Sequence, residues 1–160
     1  MAKIIVGMAD LNVTRAPGIL TTLGLGSCVG IALYDPATKV AGLAHIMLPD
    51  STKLQNNKNE AKFADTAMAK MIKDMVKIGA NKGRLQAKIA GGAQMFAFNA
   101  KNDEMRIGDR NVEATLKLLK SYGIPLIAYE VGANYGRTVE LYADDGKFLI
   151  KTIGHGNRTL

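Results

Sequence analysis

Between Glu60 and Ile78 apolar residues return every three or four positions: Ala64, Met68, Met71, Ile72, Met75 and Val76. That spacing puts them on one face of a helix and predicts an amphipathic α-helix over 60–78, with Gly79 placed to end it. A methionine stripe of this kind fills irregular core space and does not read as a cofactor box. Such a helix must lie on an apolar surface, and the rest of the chain offers one in short strand-like runs at 3–8, 19–23, 28–33, 40–48, 87–90, 126–130, 138–142 and 148–153. Asp35-Pro36-Ala37-Thr38 carries the signature of a type I turn between two of them, and Asp145-Gly146 that of a hairpin. A second helix is predicted from Asp109 as its cap, with Val112, Leu116 and Leu119 facing inward and Gly123 after it. Many strands and two helices that do not strictly alternate define an α+β fold in which the helices cover layered sheet.

The chain has 160 residues, the size of one domain spanning 1–160, and 48% of them are hydrophobic. That is enough to bury a core. No apolar run approaches the roughly 20 residues of a membrane span, and the apolar start at Ile4-Ile5-Val6 is too short for a signal peptide. A cytoplasmic location is expected. The net charge of +7 suits an acidic partner, but the basic residues are scattered and the 6% of aromatics form no stacking motif. A solvated basic surface is the plainer reading, and nucleic acid is not an expected partner. Residues 50–62 are the most polar stretch and read as an exposed loop.

There is one cysteine, Cys28, and there are two histidines, His45 and His155. A single thiol excludes an internal disulfide and any multi-cysteine metal site, and no metal or organic cofactor is expected. A lone cysteine is ordinarily a small buried apolar group, and a histidine in an apolar strand is ordinarily bonded to backbone. A nucleophilic thiol needs a base, a group that holds the base, and N–H donors for an oxyanion. If the turn pairs Asp35 with Thr38, Cys28 falls directly opposite His45 on one sheet face, with Cβ atoms about 4.5–5.5 Å apart. A slip of one residue would separate them. Gly24 and Gly26 are expected to take positive φ, and the Cys28 N–H to face a substrate carbonyl. The thiol is expected to have a depressed pKa beside the imidazole. Thr21, Thr22 and Ser27 are all near enough to orient the imidazole, and spacing does not choose among them. His155 lies in a polar tail and reads as exposed. The glycine run at 24–30 lacks the GxGxxG pattern, and there is no Walker lysine.

The run Thr22-Leu-Gly-Leu-Gly-Ser-Cys-Val, then Asp35-Pro, then Ala44-His-Ile-Met-Leu-Pro-Asp closely resembles the chemoreceptor glutamine deamidase family, CheD. So do Phe63-Ala-Asp-Thr-Ala, Lys88-Ile-Ala-Gly-Gly-Ala-Gln-Met-Phe, Ile107-Gly-Asp-Arg-Asn-Val and Gly136-Arg-Thr-Val, in order along nearly the whole chain. The resemblance implies Cys28 as nucleophile, His45 as general base and Thr22 as the residue that orients the histidine. It implies a layered α/β/β fold similar to toxin-type cysteine deamidases, with mostly antiparallel strands. The implied activity converts glutamine side chains on the cytoplasmic helices of chemoreceptors to glutamate, and the CheC phosphatase is an implied partner. Two other readings use the same features: a cysteine esterase or protease with the same dyad, and a non-catalytic regulator that binds receptors and CheC. One departure is Gly132-Ala133, where family members often have two glycines, which leaves the local loop shape open.

Overall fold

The computed structural model describes residues 3–53, 58–94 and 106–160. Strands β1 (Lys3–Ile5), β3 (Ile19–Leu25), β8 (Arg137–Tyr142), β9 (Phe148–Thr152) and β10 (Gly156–Thr159) form one sheet, in the order β1-β3-β8-β9-β10. Strands β2 (Asp10–Arg15), β4 (Val29–Asp35), β5 (Val40–Ile46), β6 (Gln86–Gly91) and β7 (Leu126–Val131) form the other, in the order β2-β5-β4-β6-β7. The pairings are antiparallel except β1 with β3 and β6 with β7. Helices α1 (Ala64–Lys77) and α2 (Ile107–Tyr122) complete the fold. No helix among the described residues is long and apolar enough to cross a membrane.

The layering follows from strand periodicity. Every residue of β4 and β5 is buried, because both faces of these central strands are covered. Val29, Ile31 and Leu33 of β4, with Val40, Ala44 and Ile46 of β5, join α1 and Leu119 of α2 in one core. The alternate residues Cys28, Ala32, Tyr34, Ala41 and Leu43 join Leu20, Val139, Leu141, Phe148 and Ile150 of the other sheet in a second core. Helices therefore lie on one face of the β4–β5 sheet and the β3–β8 sheet on its other face. At Gly42 helix and sheet come so close that a Cβ would lie 2.8 Å from Met71 Cγ and Met75 Sδ.

Several expectations are corrected. The helix expected over 60–78 begins as a 3₁₀ turn at Glu60–Lys62 and becomes α-helical only from Ala64. Its Val76 is 46% exposed, one position off the buried stripe. In α2 Asp109 sits in the first turn and Arg106 takes the cap position. The buried face of α2 is Gly108, Asn111, Thr115 and Leu119, while Leu116 is exposed. Small and polar residues form that stripe, so a search for apolar periodicity misplaces it. Strands β2 and β10 were not expected: β2 alternates Leu11 and Val13 with polar residues, and β10 is an exposed edge built from the polar tail. Within 50–62, Ser51–Lys53 and Glu60–Lys62 are 3₁₀ turns and Ser51 is buried. Residues 54–57 of that stretch, and Met95-Phe96 of the Lys88 motif, lie outside the described residues.

The hairpin register also differs. Asp35 pairs with Val40 and Gly30 with His45, so the loop holds four residues and the ladder is displaced by two from the expected one. The Lys39 N–H closes the loop on the Asp35 carbonyl at 2.8 Å, and Lys39 takes φ 55°. Asp35 itself is fully buried. Burial opposes its ionisation, but the Arg84 guanidinium and the Asn81 and Ala37 N–H groups outweigh that and hold its carboxyl well below the usual carboxylate range. The carboxylate thereby locks the hairpin to the segment entering β6. A shift of two residues preserves side-chain parity. Cys28 and His45 therefore still face the same side, the space between the sheets, as diagonal rather than direct neighbours.

Candidate active site

Thr22 lies on β3 of one sheet and His45 on β5 of the other, and Cys28 ends the crossing between β3 and β4. Thr22 and His45 are completely or almost completely buried, and Cys28 is 8% exposed. Thr22 Oγ1 lies 2.6 Å from the Val6 carbonyl and 2.7 Å from His45 Nδ1. The hydroxyl has one hydrogen, and a carbonyl can only accept, so Thr22 donates to Val6 and must accept from His45. Nδ1 therefore carries the imidazole proton, and the free lone pair of the neutral ring is on Nε2. Nε2 is buried and has no hydrogen-bond partner among the described residues. Of the three hydroxyls near enough in sequence, Thr22 is the one bonded to the imidazole, while Thr21 Oγ1 donates to the Val139 carbonyl at 2.9 Å.

The backbone leading to Cys28 is held on both sides. Gly24, at φ 66°, makes the bulge that shifts the β3–β8 register between Thr22 and Leu25. Gly26 does not take positive φ, contrary to expectation. Its carbonyl instead accepts from the Ala93 N–H at 2.8 Å. The Cys28 carbonyl accepts from the Gly92 N–H at 2.8 Å. Arg137, 2% exposed, ties together the ends of β6 and β7: Nε meets Glu130 at 2.7 Å and Nη1 meets the Gly132 carbonyl at 3.1 Å and that of Gly91 at 3.4 Å. Ala133 holds φ 60°, so the chain keeps at this departure from the family pattern the left-handed turn a glycine would make. Spacing singled out neither Arg137 nor Asn111. Both stood inside quoted motifs, and a charged or amide side chain on a buried face was the signal available. His155, exposed as expected, stacks on Tyr135 with ring centroids 4.0 Å apart.

Electrostatics overturn the expected thiol acidity. Burial pushes the Cys28 thiol up, and its own backbone N–H opposes this less strongly. Burial also pushes the His45 imidazole down. Both shifts have the same origin, since a low-dielectric site between two sheets penalises either charged form. Both shifts favour the uncharged forms of the thiol and the imidazole. Alkylation of Cys28 by iodoacetamide, followed against pH by mass spectrometry, should therefore show its inflection above the unperturbed thiol value of about 8.5. An inflection near neutrality would show a preformed ion pair instead.

Cys28 and the Thr22-bonded His45 imidazole face the space between two stacked sheets of a mixed α/β domain, and a thiol, an imidazole and a hydroxyl are group types that thiol hydrolases use. The chain belongs to the CheD family. The family model described as CheD chemotactic sensory transduction matches residues 47–152. The match begins just past His45, so the support for the earlier segment comes from relatives that match over more of the chain. A probable chemoreceptor glutamine deamidase CheD of Caldanaerobacter subterraneus subsp. tengcongensis is 61% identical over 94% of this chain and 93% of its own. One of Lachnoclostridium phytofermentans is 56% identical over 93% of this chain and 92% of its own. The chemoreceptor glutamine deamidase CheD of Halalkalibacterium halodurans is 50% identical over 97% and 96%. A solved structure, the Bacillus licheniformis hypothetical protein YfiH, aligns over 76% of this chain and 49% of its own, with 19% identity and a TM-score of 0.47, a likeness too slight to bear on function.

Proposed function

We propose that the protein hydrolyses the side-chain carboxamide of glutamines on the cytoplasmic helices of chemoreceptors. Cys28 is the nucleophile, His45 the general base and acid, and Thr22 the positioning residue for His45. The observation that carries this reading is the Val6–Thr22–His45 hydrogen-bond chain, which fixes the imidazole with Nε2 unprotonated on the face it shares with Cys28. As Cys28 Sγ attacks the carboxamide carbon, its proton passes to Nε2. The tetrahedral oxyanion collapses, the C–N bond breaks, and the proton on Nε2 leaves with ammonia. Water, deprotonated by Nε2, then attacks the thioester. Its C–S bond breaks, the sulfur regains a proton and glutamate is released.

Burial favours a side chain over a peptide bond as substrate. Cys28 is only 8% exposed, and a carboxamide on a flexible stem can reach such a group from an intact helix. A peptide bond would need several residues held extended around it. The reading places the protein in the cytoplasm, with the basic surface facing acidic receptor helices and the CheC phosphatase as a further partner. The reading includes a fold similar to toxin-type cysteine deamidases, which the resemblance implies. A test is to incubate the protein with a purified receptor cytoplasmic fragment and map it by mass spectrometry. Glutamate at glutamine positions on an uncut backbone is expected, and cleaved backbone with unchanged glutamines would overturn the reading.

The role of Thr22 gives a graded prediction. Its bond to His45 strengthens when the ring becomes imidazolium, and a hydrogen bond to a charged group is worth about 1.5–3 kcal/mol. Thr22→Ala should therefore lower kcat by roughly 10- to 100-fold, and Thr22→Ser should recover most of it. Unchanged steady-state rates in Thr22→Ala would remove the hydroxyl from the machinery.

A further inference from the structure

Three consecutive carbonyls lead through the nucleophile, and each accepts a hydrogen bond. Gly26 accepts from the Ala93 N–H and Cys28 from the Gly92 N–H, both backbone groups. Between them, the Ser27 carbonyl accepts from Asn111 Nδ2 at 3.0 Å. The same Nδ2 donates to the Met47 carbonyl at 2.9 Å, two residues beyond His45. Both partners are acceptors, which fixes the amide with its nitrogen toward them. Asn111 is completely buried, and its Oδ1 has no hydrogen-bond partner among the described residues. A buried asparagine on a helix face that otherwise packs Gly108, Thr115 and Leu119 is costly unless it performs a task. The helix is seated closely: a Cβ on Gly108 would lie 2.5 Å from the Ala93 carbonyl and 2.6 Å from that of Gly92.

A trans peptide is planar, so its C=O and N–H point in opposite directions. Pinning the Ser27 carbonyl therefore aims the Cys28 N–H away from Asn111. That N–H donates to no backbone carbonyl among the described residues. We propose that Asn111 is a positioning residue that sets the Ser27–Cys28 peptide plane, so that the Cys28 N–H is preorganised as an oxyanion donor, while its second bond holds the His45 strand end to the same plane. The inference rests on the hydrolase reading above and adds to it the residue that orients the donor.

Two reactions of one thiol separate this role from a structural one. Amide hydrolysis passes through an oxyanion, and alkylation by iodoacetamide does not. Removing an oxyanion donor ordinarily costs about 10²–10³-fold in kcat. Asn111→Leu, close in size and without donors, should lower kcat for glutamine conversion in a receptor fragment by about 10- to 1000-fold, with KM little changed. Alkylation of Cys28 at high pH, where the thiol is ionised, should keep its wild-type rate, while the inflection rises because the Cys28 N–H no longer supports the thiolate. Asn111→Asp, which puts a carboxylate against two carbonyls, should lose turnover in the same way. Circular dichroism establishes that each variant is folded. Parallel loss of alkylation and turnover, unchanged turnover, or failure of both variants to fold would each overturn the proposal. Failure of the wild-type protein to convert glutamine at all would instead overturn the hydrolase reading.

Discussion

Replacing His45 with asparagine should reduce glutamine conversion by about 10²–10⁴-fold, the range a general base contributes, while the domain stays folded. Asparagine is the informative choice because its Nδ2 can donate to Thr22 Oγ1 much as the ring Nδ1 does. The hydrogen-bond chain to Val6 is then kept, and the group at Nε2 is lost. His45→Ala removes both and opens a cavity in a residue that is 1% exposed, so it should also lower the melting temperature. Rates are compared in single-turnover assays on a receptor fragment, so that product release does not mask the chemical step. Two variants that both keep more than a tenth of wild-type turnover would show that Nε2 is not the base.

Gly91→Ala should be strongly damaging for a single added methyl group. Gly91 holds φ 107°, a conformation an L side chain rarely adopts. A Cβ there would lie 2.2 Å from the Cys28 carbonyl oxygen and 3.3 Å from its carbon. The clash is with backbone, so no rotamer relieves it. Backbone strain and overpacking together should cost about 3–5 kcal/mol, or roughly 10 °C in Tm for a domain of this size. Relief requires moving Cys28, and turnover should fall further than the unfolded fraction accounts for. Thermal melts and activity measured well below Tm separate the two effects. A variant with wild-type stability would show that β6 and the nucleophile loop are not so closely apposed.

Much of this was legible in the sequence, for physical reasons that differ by residue. The Met68, Met71 and Met75 stripe and the Asp145-Gly146 hairpin obey short-range rules and appear where periodicity and turn chemistry put them. Strand β10 escaped because an exposed edge strand needs no apolar alternation. The Cys28–His45 pairing was expected two residues out of register. Loop length depended on Lys39 adopting positive φ and on Asp35 bonding to Arg84 and Asn81, which are distant in sequence. Parity survived the two-residue error, so both side chains still reach the space between the sheets. The expected acidity of the thiol failed because it considered the imidazole and left out burial under a second sheet, which acts on both groups at once. Asn111 was invisible to periodicity because it sits on a buried helix face whose purpose is to meet two carbonyls rather than to fill apolar space.

The central claim is that Cys28 hydrolyses a side-chain amide, and hydrolysis in ¹⁸O-water tests it most directly. A receptor cytoplasmic fragment is incubated with the protein in ordinary and in ¹⁸O-labelled water, and intact masses and peptide maps are compared. Each converted glutamine should gain about 1 Da in ordinary water and about 3 Da in labelled water, because ammonia leaves and one water oxygen enters. The gain should be absent with Cys28→Ala, which should still bind the fragment. A fragment whose mass does not change, a backbone cut at a peptide bond, or conversion that persists in Cys28→Ala would contradict the account.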